Sequence, residues 1–399
     1  MPSVELLSIS EDSEWVRVLQ ESFCGWGIVS NHRCGTWYVP SELEASTCYF
    51  KSTDGHPESL QKHAMFGLRR LNLHLLEESL WHKYKGLIIV DSTKNPNKQF
   101  PDSFTRTIPV WCCIVNRVCQ NLKSNVSEYK YPLTMHSSIS SEEKQIVESL
   151  LDDKVNELED ILGIRCDDDT NGLKVIVNTL RRTAKPLQLF WCDKESLEDV
   201  KAAAAGSSED YYPIILANPS IEMPEEPDHI KGAADDEETW AAGLTPKLFW
   251  KHKNLLLNDC SIPTITTLLQ EQAQSQLNME EFTFLPMGHS KIFVNSPTRN
   301  RTEMTLSSFQ ESNPFVMILE FSKEQTEQLR SSGSSYFHFP VGNYKKQRHA
   351  VETVLTKVLA LVEGHDNSKG ILLWSVPDYN VAMSVCLAIL LKWYDLNGA

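Results

Sequence analysis

The chain has ten cysteines but no C-x-x-C pair, and no two histidines stand at zinc-ligand spacing. That argues against zinc-held and thioredoxin-like designs and leaves mostly buried, reduced thiols, as expected of a cytoplasmic or nuclear protein. No apolar run reaches the length of a membrane span; the longest, around Val381 to Leu391, is too short and contains Ser384. The first ten residues carry neither a positive n-region nor an apolar h-region, so no secretory signal is expected. Internal repeats and long low-complexity tracts are also missing. A net charge of -15 argues against binding nucleic acid over the whole surface.

What is present is ordinary in bulk and uneven in detail. Hydrophobic residues make up 41% and charged ones 23% of 399 residues, enough for two or three domains with their own cores. Between Lys51 and Tyr131 twelve Lys and Arg face seven Asp and Glu, whereas between Ser141 and Ile164 two face eight. A mildly basic segment thus precedes an acidic helix. The second is accounted for by a solvated helix face, and the first can still hold a phosphate locally.

The spacing predicts a helix over residues 11 to 25, starting near Ser13, with Trp15, Val18, Leu19 and Phe23 on one side and Gly25 as its stop. Trp37-Tyr38-Val39 and Cys48-Tyr49-Phe50 are β-prone, and Gly86 to Val90 and Pro213 to Ala217 read as buried strands. Ile108 to Val118 is expected to be a helix with Pro109 at its start. Ser140 to Leu162 is amphipathic: Ile146, Leu150, Val155, Leu158 and Leu162 recur at helical spacing, and Ser140 with Glu143 forms a capping-box pattern. Gln270 to Gln276 is a linker or an exposed helix end. From about Met279 strands at Ile292 to Val294, Phe315 to Leu319 and Gly370 to Trp374 alternate with helices over Ser322 to Arg330, Gln347 to Glu363 and Val381 to Trp393. That alternation predicts an α/β module with a mostly parallel sheet.

Polar groups cluster between Tyr49 and Ser103. Lys51, Asp54 and His56 surround Gly55, a turn. Arg69 and Arg70 form a basic helix face or, with Asn72 and His74, a set of phosphate or sugar contacts. Asp91-Ser92-Thr93 ends a buried strand and, with Lys94 and Lys98, can hold a pyrophosphate through hydroxyls and ammonium groups. Asp235 to Glu238 beside Trp240 is a solvated acidic loop, a magnesium site around a pyrophosphate, or a general base. The standard phosphoribosyltransferase pattern of four apolar residues, two acids and a Gly/Thr-rich loop is absent. Leu372 to Val381 has the strand–loop–helix topology of a phosphate cradle, but no Cys opens the loop and no Arg closes it, which disfavours a working phosphatase.

Longer motifs carry a resemblance. Asn31-x-Arg33-Cys34-Gly35-x-Trp37-Tyr38, Ala45-x-x-Cys48 through His56, Arg69-Arg70-Leu71-Asn72-Leu73-His74 and Val90-Asp91-Ser92-Thr93 resemble the initiator-tRNA 2'-O-ribosyl phosphate transferase family. So do Phe100-Pro101-Asp102-Ser103, Thr107-Ile108-Pro109-x-Trp111-Cys112 and Asp235-Asp236-Glu237-x-x-Trp240 with Gly243-Leu244-Thr245-Pro246-x-x-Phe249-Trp250, all in preserved order. The resemblance implies a pentosyltransferase that moves 5-phosphoribose from phosphoribosyl pyrophosphate to the 2'-hydroxyl of adenosine 64 in initiator tRNA, separating initiation from elongation. It implies an N-terminal α/β catalytic-type domain over residues 1–278 and a C-terminal dual-specificity-phosphatase-like α/β domain over residues 279–399. Initiator tRNA is then the partner, with no membrane and no DNA, in the cytoplasm.

The same resemblance distributes roles. Magnesium (Mg2+) falls to Asp91 or to Asp235 and Asp236, opposite the departing pyrophosphate. Lys51, Arg69, Arg70, Asn72, Ser92, Thr93 and Lys94 hold the donor. Asp54, His56 and Asp102, in that order, are candidates for the base that takes the 2'-hydroxyl proton. Trp240 and Trp250 stack on a base or sugar, or else are core tryptophans. A non-catalytic tRNA-binding protein with a degenerate phosphatase-like domain is the alternative.

Overall fold

Short apolar strands that bury both faces set the architecture of the N-terminal part. In β3 (Leu87–Val90) every residue is buried, with Leu87 and Ile89 facing one core and Ile88 and Val90 the other. The same division runs through β1 (Gly27–Asn31) and β5 (Tyr212–Ala217), where Val29, Ile214 and Leu216 join Leu87 while Ile28, Ile215 and Ala217 join Ile88. With β2 (Glu44–Cys48) and β4 (Leu187–Cys192) these strands form a five-stranded parallel sheet in the order β2-β1-β3-β5-β4. The chain steps from β1 to one edge and returns past it to β3, so the connection changes direction between β1 and β3.

The computed structural model describes residues 3–32, 34–51, 71–123, 131–162, 164, 174–182, 185–206, 209–223, 225, 228–277, 283–287, 290–295, 304–305, 315–322, 325, 327–330, 335–341, 348–363, 370–375 and 380–393. It divides into two units, Met1–Asp168 with Leu173–Gln272, and Asp169–Gly172 with Ala273–Ala399. No helix among the described residues is long and apolar enough to cross a membrane.

Several local expectations are corrected. The first helix is Val4–Ser22, nine residues earlier than Ser13, because Leu6 and Ile9 extend the buried side that Trp15, Val16 and Leu19 continue, while Val18 is exposed. Trp37 and Tyr38 lie in a helical turn, Gly35–Tyr38, with both rings fully buried; packing overrides their strand preference. In the helix Ser141–Ile161 the Ser140 hydroxyl accepts from the Glu143 amide at 3.1 Å, as the capping pattern requires. Its buried stripe, however, is Val147, Leu151, Val155 and Leu158, one residue on from Ile146 and Leu150. Gln270 to Gln276 is the end of the helix Ile262–Leu277, the second of its two expected readings, and not a linker. The helix Ile108–Lys123 forms as expected, buried along most of its length.

The second unit holds a six-stranded sheet in the order β10-β9-β11-β7-β6-β8. Strands β7 (Ile292–Asn295), β9 (Phe315–Ser322), β10 (Ser335–Pro340) and β11 (Gly370–Ser375) are parallel, whereas β6 (Thr283–Pro286) runs antiparallel to β7 and to β8 (Met304–Thr305). Strand β9 runs on to Ser322, so the helix expected to start there is only Glu327–Arg330. Val358 and Val362 of the helix Arg348–Glu363 pack with Val385 and Ile389 of the helix Asn380–Trp393 and with Ile371 and Leu373. Both sheets are therefore α/β with parallel strands.

Candidate functional site

The carboxyl ends of β1 and β3 flank the switch point, the place where open parallel sheets form their crevice. Asn31 ends β1 and is buried. Its amide oxygen accepts from the Phe50 N–H at 2.7 Å, and its Nδ2 donates to Phe50 O at 2.9 Å and to Asp91 Oδ2 at 2.8 Å. Asp91 follows β3 and is 5% exposed. The same oxygen of Asp91 accepts from Ser103 Oγ at 2.6 Å, and its Oδ1 accepts from the Ser92 amide at 3.0 Å. Burial pushes the Asp91 carboxyl up to about 6, against the pull of those three hydrogen bonds, and the charge of Asp235 adds to the rise. Beside it the Ser92 hydroxyl is buried with no hydrogen-bond partner.

The loop after Thr93 is tied down from several sides. Asn95 O accepts from the Lys98 amide at 3.2 Å, and Lys231 Nζ donates to Asn95 O at 3.2 Å and to Lys98 O at 2.9 Å. Burial lowers the pKa of Lys231. Lys98 Nζ lies 2.6 Å from Asp102 Oδ2, and the other oxygen of Asp102 accepts from Arg106 at 2.6 Å. Arg106 in turn meets Glu143 at 2.6 Å. Asp235 Oδ2 accepts from the Lys94 amide at 3.3 Å.

Two glycines let the backbone reach the tip of β3. A Cβ on Gly35 would stand 2.0 Å from Val90 O. Gly232, at φ +62°, would put a Cβ 2.3 Å from the Thr93 carbonyl carbon and 2.4 Å from the Lys94 nitrogen. The turn bearing Asp235 is thereby pressed onto the loop bearing Lys94.

Together these groups line a cavity of about 650 Å³. It joins Asp91, Ser92, Thr93, Lys94, Asp102, Asp235 and Asp236, and adds Asn31, His32, Cys34 and Phe50, which sequence reasoning had not assigned to a site. Asn31 to Gly35 stood inside a recognised motif, but nothing in it tells that an amide 60 residues away holds Asp91. Ser103 has a similar signal in the Phe-Pro-Asp-Ser motif, and Lys231 has none.

The charges lining the cavity are two lysines against four aspartates. A pyrophosphate entering such a site needs a cation beside it. Among the described residues no three His, Cys, Asp or Glu side chains form a metal-holding cluster. Magnesium suits sparser sets, one or two carboxylates completed by substrate oxygens and water. Asp91, with lone-pair capacity left on Oδ1, Asp235 and the orphaned Ser92 hydroxyl are the residues of this cavity that could supply such a set.

Of the remaining predicted residues, the described Lys51 and Asn72 are not in that lining. Lys51 is exposed, and its carbonyl accepts from Thr107 Oγ1 at 2.9 Å. Asn72, at φ +48°, brackets the Tyr49 backbone, accepting at 2.9 Å and donating at 3.1 Å, and so fixes the chain that leads to Phe50. Asp54, His56, Arg69 and Arg70 lie outside the described residues. Trp240 packs on Trp37 with ring centroids 4.9 Å apart. Trp250 lines a second cavity, of about 480 Å³, which also includes His32.

Comparison with known proteins adds to this geometry. The family described as the Rit1 N-terminal domain matches residues 2–278. An uncharacterized protein of Schizosaccharomyces pombe is 30% identical over 311 residues, covering 76% of this chain and 60% of that protein. The tRNA A64-2'-O-ribosylphosphate transferase of Saccharomyces cerevisiae is 30% identical over 250 residues, covering 58% of this chain and 46% of that protein. The chain thus spans about half the length of the curated relatives it matches. No solved structure matches it.

Proposed function

The chain belongs to the Rit1 N-terminal domain family, and from that premise we propose that it transfers 5-phosphoribose from phosphoribosyl pyrophosphate to the 2'-hydroxyl of adenosine 64 in initiator tRNA. The observation that carries this reading is the convergence of Asp91, the unpartnered Ser92 hydroxyl, Lys94 and Lys98 on one cavity at the switch point of the sheet. Its volume of about 650 Å³ suits a phosphorylated sugar.

Breaking the anomeric bond leaves positive charge on the sugar ring and negative charge on pyrophosphate. In this reading Lys94 and Lys98 receive the latter, and the Ser92 and Thr93 hydroxyls orient it. Asn31 and Ser103 fix the Asp91 carboxylate so that it need not reorganise as charge develops. Magnesium, when bound, neutralises the leaving group, and Asp91 with Asp235 would hold it, Asp236 lying next along the turn. Asp102 spends both oxygens on Lys98 and Arg106, which suits it better to hold Lys98 than to take a proton. Asp54 and His56 remain the candidate bases, and Lys51, Arg69 and Arg70 candidate phosphate contacts, while Asn72 acts through the Tyr49 backbone. The pinning of the 94–98 loop by Lys231 supports transfer over a non-catalytic tRNA-binding role.

We assign the transferase domain to residues 1–278 and a dual-specificity-phosphatase-like fold to residues 279–399, with action in the cytoplasm. The second assignment is supported by parallel strands around β11, which leads through residues 376–379, outside the described residues, into the helix Asn380–Trp393. The test is to incubate the full chain with initiator tRNA, magnesium and radiolabelled phosphoribosyl pyrophosphate. Label is expected at adenosine 64 of initiator tRNA and not on elongator tRNA. Retained tRNA binding without label would replace the proposal with the non-catalytic alternative.

A further inference from the structure

Between Asn31 and Tyr38 the chain touches both acidic sides of the donor cavity. On one side Asn31 Nδ2 holds Asp91 Oδ2 at 2.8 Å. Gly35 lies so close to β3 that a Cβ there would stand 2.0 Å from Val90 O, one residue before Asp91. On the other side the helical turn Gly35–Tyr38 grips the segment bearing Asp235 and Asp236. The Tyr38 hydroxyl accepts from the Ala234 amide at 3.2 Å. Ser220 Oγ, in hydrogen-bond contact with Tyr38, accepts from the Gly232 amide at 2.8 Å. Trp37 Nε1 donates to Glu237 at 2.5 Å, and the Trp37 ring packs on Trp240. Asp235 and Asp236 therefore stand between two anchored neighbours, Ala234 and Glu237. The rings of Trp37 and Tyr38 are fully buried, where an apolar ring would pack as well and a polar tip is costly unless paired. Both tips are spent on this one short segment.

We infer that Trp37 and Tyr38 are positioning residues of the magnesium site, setting where Asp235 and Asp236 stand relative to Asp91. The inference rests on the transfer reading above, in which Asp91 and Asp235 hold the ion, and adds the groups that fix their spacing. The two acids come from distant parts of the chain, and without an ion they repel: the charge of Asp235 helps to raise the Asp91 carboxyl. Their approach has to be enforced by neutral groups. Asn31, Gly35, Trp37 and Tyr38 are all neutral, and magnesium demands near-ideal placement of its oxygen ligands.

Manganese, which shares the oxygen-ligand preference of magnesium, is the probe, titrated alone into the full chain and followed by electron paramagnetic resonance. Tyr38→Phe keeps the ring and removes the hydroxyl. It is expected to weaken manganese binding about tenfold, the scale of losing a group that orients a metal ligand. Tyr336→Phe is the control, because it deletes the hydroxyl that bonds Glu320 in the other sheet. Both variants should melt lower than wild type, but manganese affinity in the control should stay within about twofold. In the transfer assay Tyr38→Phe should raise the magnesium concentration for half-maximal rate about tenfold, leave the KM for tRNA within about twofold, and recover in excess magnesium. Equal manganese affinity in Tyr38→Phe and wild type, an equal loss in Tyr336→Phe, or no manganese bound by wild type overturns the inference. Where Tyr38→Phe does not fold, Glu237→Ala is compared with Glu238→Ala. Each removes one charge from the same turn, and the loss of manganese affinity should be larger for Glu237, the partner of Trp37; equal losses overturn the inference. If wild type binds manganese but transfers no label, the transfer reading fails, and the manganese comparison still decides what Trp37 and Tyr38 do.

Discussion

Each sheet buries an acid near the carboxyl end of a parallel strand, Asp91 after β3 and Glu320 in β9, and the surroundings of these two differ. Glu320 in β9 is fully buried and accepts from the Tyr336 hydroxyl of the neighbouring strand and from Ser322 Oγ, two residues along its own, at 2.8 Å. Asp91 is held by Asn31 and Ser103 as firmly, but it also faces a cavity with two lysines and has a hydroxyl without a partner beside it. A buried acid closed off by its own neighbours stabilises a fold. One left facing cations and an orphaned donor is built to meet something else.

Neutralising both acids gives the largest expected contrast. Asp91→Asn should lower label transfer about 100- to 1000-fold, the scale of losing one electrostatic contact to the transition state, with circular dichroism unchanged. Glu320→Gln should leave transfer within about twofold and instead lower stability by about 1–3 kcal/mol through its disrupted hydrogen bonds. Equal losses of activity in the two variants would break the comparison.

Gly232→Ala comes next. The new methyl group would meet the backbone of Thr93 and Lys94 at 2.3–2.4 Å from a residue already at φ +62°. The expected cost is about 1–3 kcal/mol of stability, read by thermal unfolding, together with a loss of transfer as the Lys94 loop shifts. Gly206→Ala, where nothing lies within 4 Å of the added carbon, is the control and should be near neutral.

The acidity of Asp91 predicts a pH dependence. Burial raises its pKa from 3.8 to about 6, so between those values the folded chain holds a proton that the unfolded chain has lost. The resulting stability is fully present below about pH 4 and is lost as pH rises to about 6, about 3 kcal/mol in all. Asp91→Asn does not titrate and should flatten that part of the curve in thermal scans. Magnesium held by Asp91 as proposed would compete with the same proton, so its affinity should rise between about pH 5 and 7 in the wild-type chain and not in the variant.

Much of this region was legible because it is local. Leu87 to Val90 is an unbroken apolar run, and an acid and two hydroxyls directly after it had to sit at the end of a buried strand. The helix Ile108–Lys123 was equally plain. β1 was missed because Gly27 to Asn31 mixes glycine, serine and asparagine with two apolar residues, and its character comes from being flanked on both sides. Trp37 and Tyr38 looked like strand because propensity cannot register that both rings fill a core under a helical turn. Within the site, Asp91, Asp235 and Asp236 could be proposed as one set only through a resemblance. Their meeting depends on Gly232 tolerating a positive φ against Thr93, a long-range contact with no local signature.

The smallest effect is the most diagnostic. A buried, unpartnered hydroxyl costs about 1–3 kcal/mol, and Ser92 has one. Ser92→Ala removes it, so the ligand-free variant should melt higher than wild type, by about 2–4 °C for each kcal/mol gained in a unit of this size. With phosphoribosyl pyrophosphate and magnesium the order should change: wild type gains a partner for the hydroxyl, so its ligand-induced rise in Tm should exceed that of the variant. The sign of the difference therefore separates two roles for the same atom. If Ser92→Ala is stabilised in the free state and rises equally with ligand, the hydroxyl meets nothing in the complex. The surroundings of Asp91 would then resemble those of Glu320.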